Sequence, residues 1–272
     1  MLDESDISAA RTVLARDPVT NVFVQSRIEA CGLDSGRLGA QVWGWFAGGK
    51  LQSMCYAGAN IVPVEAGIDA AHAFAERARR YGRRCSSMVG QATAIAQMWE
   101  VLLPAWGPAR EVRMPQPLLA IDHEPDVAGD LTVRRVRPDE LDLILPACVA
   151  MFTEEVGVSP VGTDGGALYR ARVAELIGLG RSFARIENGR VIFKAEIGSA
   201  TAHACQVQGV WVDPQLRGRG LGTIGTAAVV QAALRDIAPI VSLYVNDYNA
   251  AARASYARVG FTHIGDFASV LF

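Results

Sequence analysis

From Gln208 to Thr223 the chain reads Gln-Gly-Val-Trp-Val-Asp-Pro-Gln-Leu-Arg-Gly-Arg-Gly-Leu-Gly-Thr, and these residue types suit the capture of a phosphate. The apolar run Val210, Trp211, Val212 reads as a strand that stops at Asp213-Pro214. Gly218, Gly220 and Gly222 allow the backbone N–H groups that follow to turn to one side. The helix expected over Gly222–Arg235 adds about half a positive charge at its N-terminus, beside Leu221 and Thr223. Arg217 and Arg219 contribute cationic donors. The competing reading is a tight strand-to-helix turn with solvated arginines. Two other phosphate motifs do not apply. Gly220-Leu-Gly-Thr-Ile-Gly225 matches the letters of the dinucleotide fingerprint, but there the strand runs straight into the first glycine, whereas Asp213–Arg219 intervenes here. The triphosphate loop needs a lysine after its last glycine, and Lys50 and Lys194 are both far away.

Other side chains could carry proton chemistry. Tyr256 sits at helical spacing after Asn249, where it either packs its ring or presents a phenol, and Asn249 is placed to cap that helix. Glu196 shares a strand face with Lys194, so a surface ion pair between them is expected. Glu154 and Glu155 end a helix, where acidic residues oppose the helix dipole. His203 is expected to start the strand leading to the glycine loop, where a histidine either relays protons or satisfies its own hydrogen bonds. Gln206 and Gln208 lie on one face of that strand, while Cys205 and Val207 face the core.

The elements that must position these groups come from periodicity and punctuation. Asp122–Asp130 is acidic and poor in apolar residues, and reads as a linker between segments 1–121 and 131–272. After it come a strand over Leu131–Val136, a helix opened by Arg137-Pro138-Asp139-Glu140, and a second helix over Gly166–Leu179. Strands Ser182–Glu187 and Arg190–Ile197 flank Asn188-Gly189, a hairpin signal. Next are strand His203–Val212, a helix over Gly222–Arg235, strand Ile240–Val245, a helix over Asn249–Val259 and a strand pair within Phe261–Phe272. The first segment has the same rhythm: a helix over Asp6–Arg16, strands Ala40–Ala47, Lys50–Ala57 and Ile61–Val64, a helix over Ala66–Tyr81, strand Ser86–Val89, a helix over Gln91–Leu103 and a strand over Glu111–Ile121. That parallel order suggests an internal duplication.

Composition bounds the rest. The 272 residues are 50% apolar and 20% charged, with a net charge of −2, so two small globular domains are expected, with no basic excess to draw nucleic acid or an anionic membrane. No apolar run approaches the roughly 20 residues that cross a bilayer, and Met1–Asp6 lacks the pattern of a secretory signal. Five cysteines and four histidines lie scattered, without a C-x-x-C or H-E-x-x-H motif, so neither a disulfide framework nor a metal site is expected. A reducing cytoplasm fits these counts.

Val210-x-Val212-x-Pro214 followed by Arg217-Gly-Arg-Gly220-Leu-Gly222 resembles the signature of the GCN5-related N-acetyltransferases (the GNAT family), R/Q-x-x-G-x-G/A. Leu243–Phe261, with Asn249, Tyr256, Gly260 and Phe261, is similar to that family's second motif. The resemblance spans 131–272 and implies a mixed α/β sheet, with acetyl-coenzyme A as co-substrate and no metal. It implies that residues 210–212 and 217–223 hold the coenzyme, that Asn249 bonds its pantetheine arm, and that Tyr256 stands beside the sulfur as proton donor. Glu196 and Glu155 are the carboxylates expected to take the proton of the amine. Glu154, Glu155, His203, Gln206 and Gln208 are expected around the acceptor, a small-molecule or peptide amine. The whole chain resembles an actinobacterial two-domain group with a diverged first half. That half has Val62-Pro-Val-Glu-Ala-Gly67 in place of the loop, so it is expected to shape the acceptor side or a dimer interface without binding the coenzyme. Acylation of a protein lysine or N-terminus, and a non-catalytic acyl-coenzyme A sensor, are the alternative functions.

Overall fold

The structure, a computed structural model, describes residues 1–162 and 165–272. In chain order its first elements are α1 (Ile7–Leu14), α2 (Val22–Cys31), α3 (Ser35–Leu38), β1 (Gln41–Ala47), β2 (Lys50–Ala57), β3 (Asn60–Val64), α4 (Ile68–Tyr81), β4 (Ser87–Gln91), α5 (Ala92–Trp106) and β5 (Glu111–Ile121). Then follow β6 (Arg134–Arg135), α6 (Leu141–Val156), α7 (Ala167–Gly178), β7 (Ser182–Glu187), β8 (Arg190–Ala200), β9 (Cys205–Val212), α8 (Leu221–Asp236), β10 (Val241–Tyr244), α9 (Ala250–Val259) and β11 (Thr262–Leu271). Helices, three antiparallel strands, a crossover helix, a strand, a helix and a strand therefore recur twice, in a mixed α/β architecture.

Two compact units result. The first comprises Met1–Leu119, Tyr244–Asn249 and His263–Phe272; the second comprises Ala120–Leu243 and Ala250–Thr262. These units divide the chain differently from the segments read in the sequence. Residues 122–130 lie inside the second unit, and the last ten residues belong to the first.

In the first unit the strand order is β1-β2-β3-β4-β11-β5. β1 and β2 form a hairpin across Gly48 and Gly49, β2 and β3 run antiparallel, and β3 and β4 run parallel on either side of α4. β11 pairs antiparallel with β4, from Phe267↔Gln91 to Leu271↔Ser87. Side chains alternate across the sheet. Thus Val42, Met54 and Val62 join Val13, Leu14 and Ile28 from α1 and α2 on one face. Trp43, Cys55 and Ile61 join Phe74, Ile95 and Met98 from α4 and α5 on the other.

In the second unit the order is β10-β9-β8-β7-β6. β7 and β8 form the hairpin expected at Asn188-Gly189, both of which have positive φ. β9 runs antiparallel to β8 and parallel to β10, with α8 as the crossover. Ile144 and Cys148 of α6, with Val173 and Ile177 of α7, pack on Ala184 and Val191. On the other side, a Cβ at Gly225 would lie 2.7 Å from the Phe193 ring, so α8 approaches β8 as closely as glycine permits.

Four expectations are corrected. α2 and α3 form where no element was read; the buried residues Val22, Val24, Gln25 and Ile28 of α2 do not keep an unbroken apolar stripe. Only Arg134–Arg135 of the expected strand 131–136 is extended. The end of the chain is one strand of ten residues, not a pair. β9 starts at Cys205, which leaves His203 in the preceding turn, its N–H donating to Thr201 Oγ1 at 3.2 Å.

Candidate active site

β9 is the element that makes this site. Its register against β8 runs Lys194↔Trp211 and then Glu196↔Gln208, so one extra residue is fitted into β9 around Gly209 and Val210. Gly209 has a φ of +61°. A Cβ there would stand 3.0 Å from Met151 Cε, 3.2 Å from Lys194 Nζ and 3.4 Å from Glu196 Oε2. Glycine is needed both for the backbone angle and for the space. The bulge falls between the pairings of Gln208 and Trp211 with β8 and interrupts the regular ladder there, and Val212 at the strand end lies 3.6 Å from where a Cβ on Gly222 of the loop would stand.

Beneath the bulge lies a buried polar cluster. Lys194 Nζ donates to Glu196 Oε1 at 2.5 Å, with the two side chains 0% and 6% exposed. Lys194 also lies 3.5 Å from Cys148 Sγ, and Cys148 lies 3.6 Å from Glu196 Oε1. The surface pair expected from the alternation is therefore a core pair, because every residue from Val191 to Ile197 is buried. Burial presses the Lys194 ammonium toward neutrality, but the Glu196 carboxylate and the Cys148 sulfur outweigh it and hold its pKa above the ordinary value. Burial pushes the Cys148 thiol up to about 11, so it stays protonated and unreactive. The Tyr169 hydroxyl donates to the Cys148 carbonyl at 2.9 Å, which ties α7 to this floor.

At the end of β9, Asp213 is buried and ion-paired to Arg190, and its carboxylate also accepts the Gln215 N–H at 3.0 Å. This fixes the strand end before the loop begins. Arg217 Nε donates to the Val212 carbonyl at 3.0 Å, and its Nη2 donates to Glu154 at 2.6 Å. Trp211 Nε1 donates to the other Glu154 oxygen at 3.2 Å. Glu154, expected beside an acceptor, thus holds a loop arginine and a loop tryptophan. Gly218 and Gly220 have φ of +77° and +78°, and Gly220 caps α8. A Cβ on either would meet nothing within 4 Å. The glycines therefore serve the backbone conformation, and the space before them is open.

Tyr256 on α9 is buried, with its ring 5.9 Å from that of Phe261. Burial, and after it the charge of Glu155, push its phenol well above the usual value of about 10, so it holds its proton throughout the neutral range. Glu155 itself is exposed near the end of α6. Asn249 lies in the turn of 244–249 that belongs to the first unit, its N–H bonded to the Asn246 carbonyl at 2.9 Å. His203 is exposed in the turn before Cys205, at the opposite end of β9 from the glycine loop. The eight residues of β9 separate the two, at about 3.3 Å for each residue of extended chain. Gln206 is buried opposite Ser199, and the Gln208 amide lies over Gly198.

The second unit thus brings together the loop 217–223, the bulge, Glu154 and the Lys194–Glu196 pair, and it sets His203 apart. Gly209 was not singled out in the sequence, and Lys194 was read there only as the surface partner of Glu196. Both carry a signal: a glycine inside a strand marks a bulge, and Lys194 is one of only two lysines, set in an otherwise apolar run. The loop fits a pyrophosphate, because it combines positive-φ glycines over open space, two arginines and the N-terminus of a 16-residue helix. Among the described residues no group of three or more His, Cys, Asp or Glu is arranged to hold a metal ion, and no helix is long and apolar enough to cross a membrane.

Comparison with known proteins also distinguishes the two halves. Residues 162–261 match the Acetyltransferase (GNAT) family, and residues 40–144 match a domain of unknown function, DUF4081. No curated protein sequence is significantly similar to the chain. Among solved structures, a GCN5-related N-acetyltransferase from Sphaerobacter thermophilus is 16% identical with a TM-score of 0.61, covering 99% of this chain and 94% of its own. A GNAT-family acetyltransferase from Colwellia psychrerythraea is 11% identical with a TM-score of 0.57, covering 100% and 98%. A tandem GNAT protein from the clavulanic acid biosynthesis pathway is 15% identical with a TM-score of 0.55, covering 98% and 94%. At these identities the likeness is one of fold.

Proposed function

Because the chain has a tandem GNAT-like fold and carries the GNAT acetyltransferase domain in its second half, we propose that it transfers an acetyl group from acetyl-coenzyme A to a primary amine by direct attack. The observation that carries this reading is the loop, with Gly218 and Gly220 in the left-handed region over open space and Arg217 anchored to the strand end. Acetyl-coenzyme A, when bound, supplies the activated acyl group. Arg217, Arg219 and the first N–H groups of α8 hold its pyrophosphate. The Val210–Val212 backbone beside the bulge offers N–H donors to the carbonyl oxygen on which negative charge develops; one such donor is worth about 3–4 kcal/mol in other enzymes.

Two proton transfers remain. An alkylammonium has a pKa of about 10 and must lose a proton to attack. Glu155, exposed at the end of α6, is the carboxylate we assign to attract the amine and accept that proton. Glu196 is held by Lys194 beneath the bulge, so in this reading it supports the strand geometry instead of serving as a base. Tyr256 then donates its proton to the departing thiolate, which its raised pKa allows at any neutral pH.

Calorimetric titration of the full chain with acetyl-coenzyme A tests the reading, beside a Gly220→Glu variant whose thermal midpoint is measured in parallel. One site per chain, lost in a folded variant, is the expected result. Absence of binding in the parent protein overturns it.

A further inference from the structure

We propose that the first unit holds a second, separate site for a small aromatic carboxylate. It is a cavity of about 440 Å³ between β1 and α4, walled by Trp43, Trp45, Phe74 and Tyr81 and supplied with Arg77 and Arg80. That volume lies within the roughly 300–1,000 Å³ usual for small-ligand sites. Trp43 and Trp45 are two apart on one strand face, while Phe74, Arg77 and Tyr81 recur at helical spacing on one face of α4.

Arg77 is the informative residue. Its guanidinium carbon lies 5.2 Å from the Trp43 ring centroid and 5.5 Å from that of Tyr81. The two rings are 6.3 Å apart and nearly parallel, at 21°. Arg77 Nε is buried without a hydrogen-bond partner, and among the described residues Arg77 makes no ion pair. Stacking on rings stabilises the cation but satisfies none of its five N–H donors. The neighbouring Arg79 is treated differently: it takes the Glu76 carboxylate at 2.7 Å. Arg80 Nε finds only the Glu76 carbonyl, at 3.3 Å. Among the described residues no acidic side chain lines the cavity. Two guanidinium groups with unspent donors call for an anion with planar, bidentate oxygens, which is a carboxylate. The aromatic walls call for a flat apolar body beside it. This inference does not rest on the acyl-transfer reading.

The test is titration of the full chain with 1-naphthoate, read from the indole N–H resonances of its five tryptophans. Saturable shifts at Trp43 and Trp45, with Trp211 unmoved, are expected. Arg77→Gln should weaken binding by about tenfold or more, as for a charge-assisted pair, while the acetyl-coenzyme A affinity of the same sample stays unchanged. Uncharged 1-naphthamide should bind about tenfold more weakly, and inorganic phosphate at equal concentration should not displace naphthoate. Should Arg77→Gln not fold, Arg77→Lys serves: binding intermediate between zero and the parent supports the flat, paired guanidinium. The proposal is overturned by unshifted Trp43 and Trp45, by amide binding equal to acid, or by full affinity in either arginine variant.

Discussion

The strand-to-helix junctions β3–α4 and β9–α8 occupy the same place in the two repeats and differ in every feature that makes an anion site. β3 keeps an unbroken register against β2, Met54↔Val64 through Ala57↔Ile61, with Pro63 inside the paired stretch. β9 has its bulge at Gly209. After β3 the left-handed position is filled by Glu65, with a φ of +52°. Its carboxylate accepts from buried Asn21 at 3.0 Å, and its carbonyl accepts from Ser53 at 2.6 Å. Asp69 then sits in the first turn of α4. The first unit thus carries an acidic residue, Asp69, in the first turn of its helix, whereas the first turn of α8 has none. Topology supplies the junction, and glycine and arginine turn it into a cradle.

The largest effect that would sharpen this contrast concerns the buried pair, which has no counterpart among the apolar residues Met54, Cys55 and Tyr56 of β2. Lys194→Met leaves Glu196 buried and unpaired, and chemical denaturation should show a loss of about 3–5 kcal/mol. The double variant Lys194→Met/Glu196→Gln should recover most of it. A single variant as stable as the parent would mean that the bulge needs no charged floor.

Next in size, Tyr256→Phe should lower kcat by about 10²–10³ with acetyl-coenzyme A affinity unchanged. In the parent protein the raised phenol pKa means that kcat is not lost to Tyr256 ionisation as pH rises through 10, whereas an unburied phenol would be half deprotonated there. A rate unaffected by the substitution would remove Tyr256 as donor.

Gly225→Ala should cost about 1–3 kcal/mol, because its Cβ meets the Phe193 ring at 2.7 Å. Gly67→Ala, at the corresponding junction, meets nothing within 4 Å and has negative φ, so its melting curve should overlay that of the parent. The smallest effect belongs to Glu154→Gln, which releases Arg217 from a half-exposed ion pair. Coenzyme affinity should rise by about two- to threefold, the scale of a surface pair, and the gain should shrink in high salt.

Much of the second unit was legible because its signals are local. Glycines, arginines and Asn188-Gly189 act within a few residues, and the hairpin and the loop lie where their spacing put them. Three features were not legible because they depend on partners distant in sequence. Lys194 looks like one half of a surface pair until α6 covers β8 with Met151 and Cys148. Glu154 looks available until Arg217, 63 residues later, takes it. His203 looks like part of a strand until Thr201 closes the turn around it. In the first unit, Trp43, Arg77 and Tyr81 pass as ordinary core and surface residues, since only the packing of α4 on β1 brings them together.

The placement of β11 sets an order of events during synthesis. β11 lies between β4 and β5, inside the sheet of the first unit, yet every other described strand of both units is made before it. Domains generally fold as they emerge, the earlier before the later. Here the unit that begins first must wait for residues 263–272, with the edges of β4 and β5 unpaired until they arrive, while residues 120–243 of the second unit are already available to collapse.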